Sequence, residues 1–364
     1  MRNNHSKSLR DLGQSIWLDF FDRKIMNSGK LKNLIDEDGI SGVTSNPSIF
    51  EKAISSSPDY DDDITTLYRH KSIAEDVFSA LAVKDIQRAA GFFEGVYEKN
   101  SGKDGFVSLE VSPRLAYDTE GTIKQARELW KSVDRKNAMI KIPATAAGIP
   151  AIRKCISEGI NINITLLFGL PRYKQVIDAY LSGLEDRVKA NRPIKHISSV
   201  ASFFLSRIDV IIDPLLERRN VPDLKGAVAI ASAKKAYEIC KDHFSGERFR
   251  KLEAKGAGRQ RLLWASTGTK DPSYSDVKYL EALIGPETIN TVPLETLEAF
   301  NDHGKPGNNL ETDMDKATGV LAKLIAIGID IDIITQKLEE EGIKKFNTAY
   351  DGILKAIDQK QIVT

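Results

Sequence analysis

The chain has 364 residues, 41% hydrophobic and 28% charged, enough apolar content for a large core and a length suited to one α/β barrel or two average domains. Its 52 lysines and arginines balance 51 aspartates and glutamates, which excludes a general nucleic-acid binder but allows a local basic pocket for an anion. Cys155 and Cys240 stand far apart in no CxxC pattern, which argues against a disulfide scaffold and a structural zinc site. The N-terminus is polar and basic, and no apolar run reaches the length of a membrane span, so a cytoplasmic protein is expected.

Eight strand-like runs follow one another along the chain. They are SIWLDF (15–20), ISGVTSN (40–46), GFVSLEV (105–111), AMIKIP (138–143), NINITLLFG (161–169), HISSVASFF (196–204), RLLWAST (261–267) and TINTVP (288–293). Between most of them the apolar spacing is helical, as in 122–136 and 172–190. About 60 residues separate the second and third runs and predict extra helices, one of them over 72–99. The tail from about 311 predicts two or three more. Alternation of eight strands with helices predicts parallel βαβ units closed into a single (β/α)8 TIM barrel, with the barrel over about 15–300 and the C-terminal helices over about 311–364. An open doubly wound sheet is the alternative, since periodicity alone does not close a barrel.

In such a barrel, chemistry sits at the C-terminal ends of the strands. Asp19 ends the first run and Thr44-Ser45-Asn46-Pro47 the second. The third offers Glu110, the fourth Lys141, and the fifth Asn163 and Thr165, which share one face of the strand. The sixth offers Ser202 followed by Arg207, and the seventh Ser266. Taken singly, most of these have a bland reading as caps, turn residues or ordinary strand residues. Lys141 does not. It stands between Ile140 and Ile142 in a strand expected to be covered on both faces, where an ammonium is costly. A desolvated amine is a nucleophile that can attack a carbonyl to form an imine, with nearby carboxylates moving the protons.

GVTSNPSIF (42–50) and AMIKIPATAAGI (138–149) are similar to the two signatures of the transaldolases, of the longer bacterial type. GININITLLFG (159–169) and ASFFLSRID (201–209) resemble further segments of that family, and the likeness spans about residues 15–300. The resemblance implies a TIM barrel that uses no metal or organic cofactor. It implies transfer of a dihydroxyacetone unit from sedoheptulose 7-phosphate to glyceraldehyde 3-phosphate, giving erythrose 4-phosphate and fructose 6-phosphate, in the pentose phosphate pathway. By the same resemblance Lys141 forms the Schiff base, Asp19 takes the proton as the carbon–carbon bond breaks, and Glu110 and Thr165 hold the water that shuttles protons. Asn46 and Asn163 bind hydroxyls of the three-carbon unit. Ser202, Arg207 and Ser266 lie along the substrate and its phosphate. Many family members carry an arginine two residues after Ser266. Here that position is Gly268, and Lys270 and a helix start expected at Ser273 or Ser275 are the substitutes for an anion site. Phe204 and Glu110 match transaldolases, where the related fructose 6-phosphate aldolases carry tyrosine and glutamine.

Other motifs carry less. TGTK (267–270) lacks the order of a P-loop, GAG (256–258) lacks a dinucleotide-site context, and the five histidines form no HExxH pair. DYDDD (59–63) lacks EF-hand spacing and is expected as a solvated acidic helix start. The partners expected are sugar phosphates, with no nucleic acid and no membrane, and a homodimer is left open. The competing functions are an aldolase that releases free dihydroxyacetone and a silent barrel that only binds sugar phosphates.

Overall fold

The computed structural model describes residues 4–71 and 73–363. Met1–Asn3, Ser72 at the start of one predicted helix, and Thr364 lie outside the described residues. Eight parallel strands pair in sequence order and close into a barrel. They are β1 (Gln14–Leu18), β2 (Gly42–Val43), β3 (Phe106–Glu110), β4 (Ala138–Pro143), β5 (Ile162–Leu167), β6 (Ser199–Phe204), β7 (Arg261–Ala265) and β8 (Thr288–Val292). Each overlaps a run read from the sequence, β1 starting one residue earlier at Gln14, and the open-sheet alternative is excluded by the pairing of β1 with β8.

The period of two along each strand separates two apolar cores. One face of the strands (Ile16, Leu18, Val107, Leu109, Ile140, Ile142, Ala201 and Phe203 among them) packs outward under the helices. The alternate face (Trp17, Phe106, Met139, Val200, Leu263 and Ile289) fills the lower barrel interior. Trp17 is the plug. Its indole donates to Asp104 Oδ1 at 2.8 Å. A Cβ at Gly42 would fall 2.6 Å from its ring, so only glycine lets β2 pass the indole. Polar side chains on this inner face therefore lie above an apolar floor, toward the C-terminal mouth.

Three helices fill the interval between β2 and β3: Pro47–Ser56, Asp61–Tyr68 and the long Ala74–Lys99. The acidic run 59–63 starts the second of them, as expected, but is less solvated than expected. Asp63 pairs with Arg23 and Lys84 at 2.8 and 2.7 Å, and Asp61 takes an ion pair from Lys360. Two helices close the chain, Met314–Ala326 and Ile331–Val363. The last packs against Pro47–Ser56, which follows β2, and Ser206–Arg218, which follows β6, and it touches β5 between them. It therefore borders the mouth. At Gly342 an added Cβ would lie 2.9 Å from Leu166 Cδ2. No described helix is long and apolar enough to cross a membrane.

Candidate active site

Strand register puts the central residues side by side. Glu110 of β3 is the rung partner of Lys141 of β4, and Lys141 is the rung partner of Asn163 of β5. Adjacent strands run about 4.8 Å apart, so three inward side chains of successive strands meet at one height. Lys141 is 4% exposed. Its Nζ donates to the carbonyl of Ser45 at 2.7 Å and stands 3.1 Å from Glu110 Oε2. That ion contact lies outside good hydrogen-bond alignment, and Oε2 has no hydrogen-bond partner among the described residues. Burial raises the pKa of Glu110, Lys141 pulls it back, and Asp19 adds to the rise.

Asp19 follows β1 and is half-buried. Its amide donates to Val292 O at 2.8 Å, and its Oδ1 accepts from Thr44 Oγ1 at 3.0 Å. Thr44 is held in turn by Thr291 Oγ1 at 2.9 Å. Burial raises the pKa of Asp19, while Lys141, the Thr44 hydroxyl and Lys270 lower it. Two carboxylates thus act on one amine, and burial raises the pKa of each.

A second set of bonds orients the polar floor. Ser202 Oγ donates to Asn163 Oδ1 at 2.7 Å, and Asn163 Nδ2 donates to Ser108 Oγ at 3.0 Å. Thr165 is fully buried, and its hydroxyl has no hydrogen-bond partner among the described residues. An unpaired buried hydroxyl is costly, so a polar atom of substrate or water belongs beside it. Just after it, Leu166 takes a φ of 53°, and the β5–β6 register shifts between Ile164 and Leu167. This bulge ends the regular ladder at Thr165. Phe168 and Phe204 then face each other with ring centroids 5.1 Å apart. Asn46 has one end committed. Its Oδ1 accepts from Ile49 N at 3.0 Å as the cap of the helix Pro47–Ser56, and its amide nitrogen makes no hydrogen bond to the described residues.

The remaining predicted residues gather at β6 and β7. Ser266, φ 55°, shares a hydrogen bond with Ser206 Oγ at 2.9 Å, and its carbonyl accepts from Ser206 N at 3.1 Å. Arg207, next along, is half-buried and makes no hydrogen bond or ion pair with the described residues. Burial lowers its pKa, and Glu341 of the C-terminal helix partly offsets that. Lys270 is exposed and makes no hydrogen bond or ion pair with the described residues. Its Nζ lies 3.9 Å from where a Cβ at Gly268 would stand, so the amine folds back over the glycine.

One expectation is corrected. No helix begins at Ser273 or Ser275. The Asp271 carboxylate captures Ser273 N and Oγ at 2.8 and 2.7 Å, a turn that competes with helix formation. The helix starts at Lys278 and has five residues, so a helix N-terminus does not supply the anion donors at those serines.

Several neighbours escaped the sequence reading. Ser108 and Thr291 lie two residues from inward positions, so the period of two was the signal that could have found them. Ser206 was hidden by its neighbour Arg207. The Ser45 carbonyl that receives Lys141 is a backbone group with no sequence signal at all.

A closed parallel barrel with a buried lysine beside one carboxylate and in the field of a second at its C-terminal mouth defines a lysine-centred (β/α)8 enzyme. The chain belongs to the family described as Transaldolase/Fructose-6-phosphate aldolase, which matches residues 16–357. It is 44% identical over 357 residues to a transaldolase of Thiobacillus denitrificans, an alignment that covers 97% of this chain and 99% of that protein. It is 45% identical over 360 residues to a transaldolase of Saccharopolyspora erythraea, covering 98% of each. Against a transaldolase of Neisseria gonorrhoeae it is 44% identical over 346 residues, covering 95% of this chain and 97% of that one.

Proposed function

We propose that the chain is a cytoplasmic transaldolase working as one barrel unit, with Lys141 as the nucleophile. The observation that carries this reading is the meeting of Lys141, Glu110 and Asn163 on one rung, with Asp19 close enough for its charge to be felt there.

The Nζ of Lys141 attacks the C2 carbonyl of a ketose phosphate, and the carbinolamine loses water to give a protonated imine. Glu110 and the free hydroxyl of Thr165 hold the water that carries protons in this step. Asp19 then takes the proton of the C4 hydroxyl, the C3–C4 electron pair moves into the imine, and an aldose phosphate leaves. The enamine that remains attacks a second aldose phosphate, and reversal of the first steps frees Lys141. Asn163, oriented by Ser108 and Ser202, and the free amide nitrogen of Asn46 hold the three-carbon unit. Arg207, Ser266 and Lys270 hold the phosphate.

Release of free dihydroxyacetone is the second reading, since the matched family includes aldolases. Phe204 supports transfer, because a phenyl ring at the mouth cannot activate the water that would hydrolyse the intermediate. Mixing pure protein with fructose 6-phosphate and erythrose 4-phosphate tests the proposal. Sedoheptulose 7-phosphate forms on the transferase reading. Free dihydroxyacetone without an acceptor is the aldolase outcome, and neither product leaves only a binding barrel.

A further inference from the structure

Next to the phosphate side of the mouth lies a buried polar network that the chemistry above does not use. Asp209 and Asp213 stand one turn apart on the helix Ser206–Arg218, 1% and 7% exposed. Each carboxylate takes one backbone amide and one tyrosine. Asp209 accepts from Ala229 N and from Tyr279 OH, both at 2.8 Å. Asp213 accepts from Gly226 N at 2.8 Å and from Tyr274 OH at 2.7 Å. Lys278 Nζ sits among them, 3.4 Å from the Tyr274 ring centre and 3.8 Å from Asp209 Oδ2. At Gly226, φ 67°, a Cβ would meet Lys278 Nζ at 2.1 Å and Tyr274 Cζ at 2.8 Å, so the packing leaves no room for a side chain. A cavity of about 460 Å³ is bordered by Ser206, Asp213, Tyr274 and Lys270, so Lys270 stands at the edge of this network.

Two buried carboxylates are a poor way to gain stability, because apolar packing does as well without their desolvation cost. What the network does provide is position. Residues 268–273 make no hydrogen bond outside their own loop among the described residues. Thr267 fixes one end of that stretch, donating to Thr291 O at 2.7 Å. Tyr274 fixes the other, on the helix that carries Arg207.

We propose that Tyr274 is a positioning residue for the substrate phosphate: its bond to Asp213 locks the loop bearing Lys270 to the helix bearing Arg207, so that both cations face one site. This rests on the reading of Arg207 and Lys270 as phosphate ligands. Tyr279 with Asp209 pins the same loop's exit to the same helix.

The test is Tyr274→Phe, which keeps the ring and removes the hydroxyl, with Tyr279→Phe as a second variant. KM for fructose 6-phosphate and the inhibition constant of inorganic phosphate should both rise by about 3- to 10-fold, the scale of one hydrogen bond. kcat should stay within about twofold, because the phosphate is remote from the bond that breaks. In a Lys270→Ala background the effect of Tyr274→Phe should largely vanish, since coupled residues are not additive. A Tyr274→Phe enzyme that melts earlier but keeps its phosphate inhibition would overturn the proposal, as would an effect that persists in full without Lys270. If Arg207→Ala and Lys270→Ala themselves leave phosphate inhibition unchanged, the phosphate reading falls and takes the proposal with it. If they weaken inhibition and the tyrosine variants do not, the proposal falls alone.

Discussion

Glu110 and Lys141 face each other across one rung of the β3–β4 ladder, with Glu110 Oε2 3.1 Å from Lys141 Nζ. Parallel pairing sets the two backbones side by side with both side chains pointing inward, so register brings an acid within reach of the amine and the rotamers close the remaining gap. Asp19 comes from the end of β1, held by Thr44, and lies within the electrostatic reach of Lys141. On the proposed mechanism the two carboxylates have separate tasks, Glu110 in imine formation and Asp19 in cleavage.

Asp19→Asn should leave imine formation intact and lower turnover by at least ~10²-fold, the usual contribution of a general base. Burning off the imine step from the cleavage step is done by comparing borohydride trapping with steady-state rate. A variant that turns over normally would remove Asp19 from the cleavage step.

Phe204→Tyr should raise the release of free dihydroxyacetone from fructose 6-phosphate. Phe204 packs on Phe168 at the mouth, and a hydroxyl added at the edge of that pair can bind and activate water. A coupled assay of dihydroxyacetone with no acceptor present reads this directly. No gain in release would show that the ring does not govern partition between transfer and hydrolysis.

Arg207→Ala should raise KM for fructose 6-phosphate by about 10- to 150-fold with a smaller change in kcat, as expected for losing one charge-assisted hydrogen bond to a remote group. Lys270→Ala should act in the same direction but more weakly, because Lys270 is exposed and its charge is screened. Competitive inhibition by inorganic phosphate should weaken in step with KM in both. Unchanged inhibition in Lys270→Ala would make Gly268 a true loss of one phosphate contact.

Asp209 predicts a pH signature of stability. Burial raises its pKa to about 6, against the pull of Ala229 N, Tyr279 and Lys278, with Asp213 adding to the rise. A folded-state pKa raised above the unfolded value of 3.8 means the favourable contribution is complete below about pH 4 and is lost as pH rises through about 6. A shift of this size corresponds to roughly 3 kcal/mol. Wild type should therefore lose stability relative to Asp209→Asn between pH 4 and 7, read from urea midpoints at each pH. A difference that does not change with pH would contradict the assignment.

The fold was legible because strands buried on both faces stand out as short apolar runs, and eight of them at barrel spacing leave few topologies. Lys141 was legible for the opposite reason: it is the residue that breaks such a run. Asp19, Glu110 and Asn163 followed from asking which polar residues end each strand. The loop after β7 was harder to read. Asp271 and Ser273 look like the start of a helix, but the side chain of one closes a turn on the other, and a local competition of that kind is invisible to periodicity. The Tyr274–Asp213 and Tyr279–Asp209 bonds join residues about 60 to 70 positions apart, and neither tyrosine breaks a pattern. Nor could the sequence show that the C-terminal helix borders the mouth, because that depends on how it packs across β2 to β6.

The central claim is that Lys141 becomes covalently joined to the substrate. Borohydride added to the enzyme with fructose 6-phosphate, followed by peptide mass analysis, tests it most directly. The account predicts loss of activity and a reduced three-carbon adduct on the peptide containing Lys141, with Lys141→Arg inactive and unlabelled because arginine stays protonated. An adduct on another lysine, or full activity after reduction, would contradict it.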